Sequence, residues 1–142
     1  MNRHSLTSKG LMQLVIGLAL TVLGGISLAA QSTMLTPSVV VQDQSIVDSR
    51  VVILKIVSAT PGWIVIHIDN AGKPGPVVGY AAVRAGENLD VVVAIDAKKA
   101  TPVLYAMLHV DAGVVGSYEF PGADTPTMNM GAMVSPLFKA LP

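Results

Sequence analysis

The chain of 142 residues contains no cysteine. That absence excludes a disulfide staple, a thiolate metal site, a cysteine nucleophile and a lipid-modified cysteine anchor. Charge is scarce as well. Asp, Glu, Lys and Arg make up 13% of the residues, about half of the roughly 25% usual in soluble domains. Nor is there any excess of positive charge, because nine basic side chains face nine acidic ones. The chain therefore carries no basic footprint for nucleic acid and no polybasic patch for a membrane surface. Enzyme signatures are missing too: there is no G-x-S-x-G elbow, no H-E-x-x-H and no glycine-rich phosphate cradle. Ser117 has no evident base, and Tyr118-Glu119 falls in a loop without an assignable partner. The expectation is a non-catalytic protein.

What is present begins with an apolar run over residues 11–28, LMQLVIGLALTVLGGISL, preceded by Arg3 and Lys9 and followed by Ala29 and Ala30. A basic start, an apolar stretch and a small-residue exit form the pattern of an export signal. Residues 1–30 read as that signal, with cleavage after Ala29 placing Ser27 at the small-residue position. The alternative is an uncleaved N-terminal anchor, since about 18 apolar residues lie at the lower limit for a spanning helix. Either way the destination is extracytoplasmic, secreted or at the cell surface, and membrane contact is confined to the N-terminal segment. Without Arg3 and Lys9, seven basic groups remain against nine acidic ones, a net charge of −2.

Residues 31–37, QSTMLTP, read as a tether, and residues 38–141 as a single domain. After Pro37, Val, Ile and Thr fill the runs, Gly and Pro punctuate them, and no stretch keeps helical periodicity. The pattern predicts seven strands at about 38–42, 50–58, 62–69, 77–83, 88–96, 103–110 and 133–140, arranged as an all-β antiparallel sandwich of immunoglobulin-like Greek-key type, preceded by the apolar signal helix. Alternation assigns to the core Val52, Leu54 and Ile56; Ile64, Ile66 and Ile68; Leu89, Val91, Val93 and Ile95; and Leu104, Ala106, Leu108 and Val110. Pro136 demotes the last strand to an edge or a bulge. Residues 111–132 form a long irregular segment, and its Tyr118, Phe120 and methionines predict that it packs down on the domain.

DQSI (43–46), PGWIVIH (61–67), Gly79, Ala85-Gly86, AMLHVD (106–111) and YEFPGADTP (118–126) resemble a family of uncharacterised extracytoplasmic domains, domain-of-unknown-function family 7282. The resemblance spans about residues 38–141 and implies a secreted β-sandwich module with no assigned activity. Family members carry an Asp/Asn-rich loop after the histidine strand. Here Asp111 is followed by Ala112, Gly113, Val114 and Val115, which departs from that pattern.

The sharpest chemical motif is a repeated H-x-D, His67-Ile68-Asp69 and His109-Val110-Asp111. If the third and sixth strands are antiparallel neighbours, full overlap pairs Trp63 with His109, Val65 with Met107 and His67 with Tyr105. The two histidines then lie on the order of 14 Å apart along the ladder at ~3.4 Å per residue. One ion does not span that gap, so the row reads as a cross-strand ladder. Two other metal readings stay open. Asp111, Glu119 and Asp124 are candidate calcium ligands at the base of the long loop, although Gly113 and Val115 occupy positions where a calcium loop supplies oxygen. Met128, Met130 and Met133, with Met107 and His109, are soft ligands suited to copper(I), against the ordinary use of methionine as a gap-filler.

The face shared by Trp63, Val65, His67, Val103, Tyr105, Met107 and His109 is apolar where polar residues normally sit. It is covered either by the long loop or by a partner. The leading expectation is an interaction or structural module, docking a protein partner or a second copy through this face. The alternative is a metal-binding module.

Overall fold

The computed structural model describes residues 34–141. The predicted export signal, residues 1–30, lies outside the described residues, and so do residues 31–33 of the tether. Among the described residues no helix is long and apolar enough to cross a membrane.

The architecture is all-β, with ten strands among the described residues and one short 3₁₀ turn. A three-stranded sheet runs β1 (Ser38–Val40), β3 (Arg50–Ser58) and β6 (Gly86–Ala94). A five-stranded sheet runs β2 (Gln44–Ser45), β10 (Leu137–Leu141), β7 (Val103–Val110), β4 (Gly62–Asp69) and β5 (Pro74–Val83). A hairpin of β8 (Met128–Asn129) and β9 (Ala132–Met133) stands apart from both. β3, β4 and β7 have the predicted bounds. The expected 133–140 strand is split at Pro136 into β9 and β10, as a residue with no N–H to donate requires in a ladder. All pairings within the two sheets are antiparallel except β10 with β2.

One core joins the two sheets. Val51, Ile53, Ile56 and Val93 meet Ile64, Ile66, Leu104, Ala106, Leu108 and Phe138 in a single buried cluster. Burying one such aliphatic side chain stabilises by about 1.5–3 kcal/mol. The predicted inward faces of β4 and β7 hold for Ile64, Ile66, Leu104, Ala106 and Leu108, with Ile68 half-buried against the cluster.

β3 and β6 differ from simple alternation. Val51 and Ile53 point inward rather than Val52 and Leu54, while Ile56 is buried as expected. On β6, Asn88 is buried and Leu89 is 61% exposed, whereas Val93 is fully buried. β6 changes face at Asp90, whose φ of 48° takes the backbone out of the extended region and breaks the two-residue period, and β3 changes face between Ile53 and Ile56, the residues on either side of that level in the ladder. The buried Asn88 then serves the β5–β6 corner, donating from Nδ2 to the Arg84 carbonyl and accepting the Arg84 N–H at Oδ1.

Residues 111–136 run over the outer face of the five-stranded sheet and along the stretch of β7 that β10 does not reach. The Val110 N–H donates to the Thr125 carbonyl, and the Leu108 carbonyl accepts from the Thr127 N–H at 2.7 Å. The Leu108 N–H donates to Val134 and the Ala106 N–H to Pro136. The β8–β9 hairpin is thus an excursion that leaves the β7 edge after Thr127 and rejoins it at Val134, where the Val134 N–H closes onto the Thr127 carbonyl.

Candidate functional site

β4 and β7 pair in the expected register: Trp63 opposite His109, Val65 opposite Met107, His67 opposite Tyr105. The face they share is closed by the chain itself. Trp63, Val65, His67, Tyr105, Met107 and His109 are all buried and Val103 is half-buried. Of the two covers expected for this face, the long loop supplies one, so these residues do not form an exposed surface. Tyr118 stacks on Tyr80 with centroids 3.9 Å apart and meets Trp63 edge-on. Phe120 sets its edge against both histidine rings.

The predicted distance between the histidines needs a second correction. Their ring centroids are 5.8 Å apart and nearly parallel, at 17°. The ladder offset is as expected, but the two side chains bend back along their strands, so the imidazoles approach each other across the Val65–Met107 pair. Metal–nitrogen bonds of about 2.0–2.1 Å put two imidazole centroids sharing one ion about 5–6 Å apart. The observed separation falls in that range, so the objection that one ion cannot reach both rings is removed.

The protonation state follows from the hydrogen bonds. His67 Nδ1 lies 2.7 Å from the Gly75 carbonyl, and His109 Nδ1 lies 2.8 Å from the Asp124 carbonyl. A carbonyl oxygen only accepts, so each Nδ1 carries the proton and donates it. Burial lowers both imidazole pKa values below 6.5, against the raising effect of those carbonyls; His67 lowers His109 further. Each ring is therefore neutral, with a bare lone pair on Nε2. Both Nε2 atoms are buried and have no hydrogen-bond partner. An unsatisfied buried polar atom costs about 1–3 kcal/mol, and here two such atoms lie in facing rings. An Nδ1–H held by a carbonyl is also how metal-ligating histidines are oriented, because it fixes the tautomer and the ring plane.

Beside His67 lies a cavity of about 340 Å³ whose wall includes Met107, Phe120, Gly75, Lys73 and Met133. Met107 is buried on β7 between the two histidine positions, and Met133 is half-exposed at the hairpin. Gly62 contributes to the geometry at the start of β4. A Cβ there would collide with the His109 carbonyl, so glycine allows the close approach of the two strands.

Residues 37–139 match the family described as a domain of unknown function, DUF7282. The chain belongs to that family. Neither the curated proteins nor the solved structures returned a match. In this DUF7282 domain the histidine of AMLH, His109, and that of WIVIH, His67, come together beneath the FPGAD segment that supplies Phe120 and Asp124.

The calcium candidates take other partners in the DUF7282 loop. Asp124 is fully buried, with Oδ1 accepting the Ala112 N–H at 2.8 Å and Oδ2 accepting the Glu119 N–H at 2.7 Å. Glu119 Oε2 accepts the Val114 N–H, and Asp111 Oδ2 accepts the Gly116 N–H, each at 2.8 Å. These three carboxylates staple the backbone of residues 111–124. Among the described residues no three His, Cys, Asp or Glu side chains converge as a group. The acidic members of the two H-x-D motifs also turn away from the histidines: Asp69 accepts from the Tyr105 hydroxyl, and Asp111 serves the loop. Of the expected copper set, Met107 and Met133 line the cavity, His109 stacks behind its His67 wall, and Met128 and Met130 stand outside it. Sequence reasoning missed His67 as the partner of His109. The matching H-x-D spacing was the available signal, set aside because backbone register alone was used to measure the distance.

The neutral histidines give an acid-sensitive fold. Because the folded pKa values lie below the unfolded 6.5, the unfolded chain takes up protons first as pH falls. Stability is full above about pH 6.5 and declines on acidification until the folded rings titrate, each ring contributing at most about 1.4 kcal/mol per pH unit. Urea midpoints measured between pH 8 and pH 5 are expected to fall, and replacing His109 with Gln should flatten that slope.

Proposed function

We propose that the protein is an exported, non-catalytic module that binds one soft metal ion, copper(I), through His67 Nε2, His109 Nε2 and the Met107 sulfur, with Met133 at the mouth of the site. The observation that carries this reading is the pair of buried, unpartnered Nε2 atoms on rings 5.8 Å apart, each ring with its Nδ1 proton held by a backbone carbonyl. An apolar sheet ladder has no use for two bare lone pairs on buried rings whose centroids are 5.8 Å apart. A metal ion satisfies both at once if the two near-parallel rings tilt so that their in-plane lone pairs converge while each Nδ1–H stays on its carbonyl.

The choice of ion follows from the donors. Neutral imidazole with thioether favours copper(I), whereas calcium requires six or more oxygen ligands. The Lys73 ammonium on the cavity wall opposes a divalent cation more strongly than a monovalent one. The carboxylates of Asp111, Glu119 and Asp124 already accept backbone N–H groups. Support for export comes from the basic start and apolar run of residues 1–30. For the fold, the β3–β6 and β4–β7 pairings over one shared core support an immunoglobulin-like sandwich.

Anaerobic competition against a copper(I) chelator, with thermal melting, tests the function. The expected result is one copper(I) per chain and a raised melting temperature, corresponding to about 2.7 kcal/mol of added stability at a free ion concentration 100-fold above Kd. Zinc and calcium should raise it less. No retained copper, or a larger shift with calcium, overturns the reading.

A further inference from the structure

Met128 and Met133 are directly opposed in the β8–β9 hairpin, and Met130 stands at its tip. Met130 is 99% exposed with φ 50°, and Met128 is 53% exposed. A long apolar side chain at a turn position with positive φ gains nothing from burial and strains the backbone, so packing does not explain it. The three sulfurs do form a series. Met130 is outermost, Met128 and Met133 sit side by side with Cβ atoms about 4.5–5.5 Å apart as cross-strand partners, and Met133 lines the cavity that holds His67 and Met107. The hairpin is also the one part of residues 125–136 that leaves the β7 edge, between Thr127 and Val134, which leaves it projecting above the mouth.

We infer that this hairpin is a thioether relay through which copper(I) passes between a soft-ligand donor or acceptor in solution and the buried histidine pair. The inference rests on the copper(I) reading of the site. Each step exchanges one Cu–S bond for another: a sulfur from the next methionine binds before the previous one leaves. The ion stays copper(I) throughout, so no electron moves, and a thioether carries no proton to release. The same path serves loading and unloading, because ligand exchange is reversible step by step. The partner it fits presents sulfur ligands on a small exposed surface, since Met130 is reached without opening the 111–124 loop.

The test compares the full chain with the double variant Met128→Leu, Met130→Leu, and with Met130→Leu alone, which keep apolar bulk and remove sulfur. Copper(I) is loaded from, and withdrawn by, bicinchoninate under nitrogen. The equilibrium affinity of the double variant should stay within about 2-fold of wild type, while transfer rates fall at least 10-fold in both directions; the single variant should be intermediate. Unchanged rates with tight binding retained overturn the relay and leave the buried site standing. A loss of affinity of 10-fold or more in the double variant also overturns it, because the sulfurs would then be resident ligands. If wild type binds no copper(I), the proposed function fails and the relay with it. Unchanged circular dichroism and melting of the metal-free variants, expected for exposed side chains, verifies that the fold is intact.

Discussion

Replacing His109 with Ala is expected to lower copper(I) affinity more than 100-fold, with a comparable loss for His67→Ala. Disturbing only the groups that orient a metal-ligating histidine costs about 10–100-fold; removing the ligand itself costs more. The two variants should differ in their metal-free stability. His109 is fully buried, bonds the Asp124 carbonyl and meets the Phe120 edge at 4.6 Å, so its loss loosens the loop that covers the site. His67 bonds only the Gly75 carbonyl at the β5 start and meets Phe120 at a longer 5.9 Å. A decisive readout is therefore chelator competition alongside urea midpoints. Loss of binding in His67→Ala with a fold close to wild type separates ligand from scaffold. Retained binding in either variant contradicts the two-histidine site.

The largest effect on the fold is expected at Asp124. Its carboxylate takes two backbone N–H groups in a fully buried position, and its own carbonyl holds His109. Hydrogen bonds to a charged group contribute about 1.5–3 kcal/mol each, and stranded partners add a desolvation penalty. Asp124→Ala should destabilise the domain by about 3–5 kcal/mol in urea unfolding. Asp124→Asn, which keeps one acceptor oxygen, should lose about half as much. The same substitution frees the 111–124 loop, so hydrogen exchange should rise at Ala112 and Glu119 and at the β7 edge near Val110. A destabilisation below about 1 kcal/mol would mean the loop is held by Tyr118 and Phe120 rather than by this carboxylate.

Much of this was legible in the sequence because it follows from two-residue alternation. The runs 50–58 and 62–69 are rich in Val and Ile and 103–110 is apolar with a two-residue alternation, and their bounds and the Trp63–His109 register came directly from that pattern. The face change in β6 was not legible, because one left-handed residue, Asp90, reverses the parity along its strand. Nothing in NLDVVV marks that position, and the matching change in β3 falls where that strand pairs with it. Asp111, Glu119 and Asp124 were visible as residues but their partners were not, because alternation says nothing of a tight loop whose backbone N–H groups these carboxylates accept.

The site itself failed to appear for a geometric reason. Register gives Cα positions, and the His67–His109 contact is made by side chains leaning toward each other by several ångströms. The carbonyls that fix the tautomers, Gly75 and Asp124, come from a strand start and a loop that alternation does not describe. The covering of the outer face was easier to foresee. A row of Trp63, Val65, Tyr105 and Met107 needs a cover, and a 111–132 segment carrying Tyr118 and Phe120 can supply it.

X-ray absorption on the copper(I)-loaded chain tests the central claim most directly. The account predicts one copper(I) per chain with two imidazole nitrogens and at least one thioether sulfur in its first shell, and loss of both nitrogens' multiple-scattering signature in the His67→Ala, His109→Ala double variant. A shell of sulfur alone would put the ion on the hairpin. That result, or no stoichiometric copper, would contradict a metal site built on the two buried histidines.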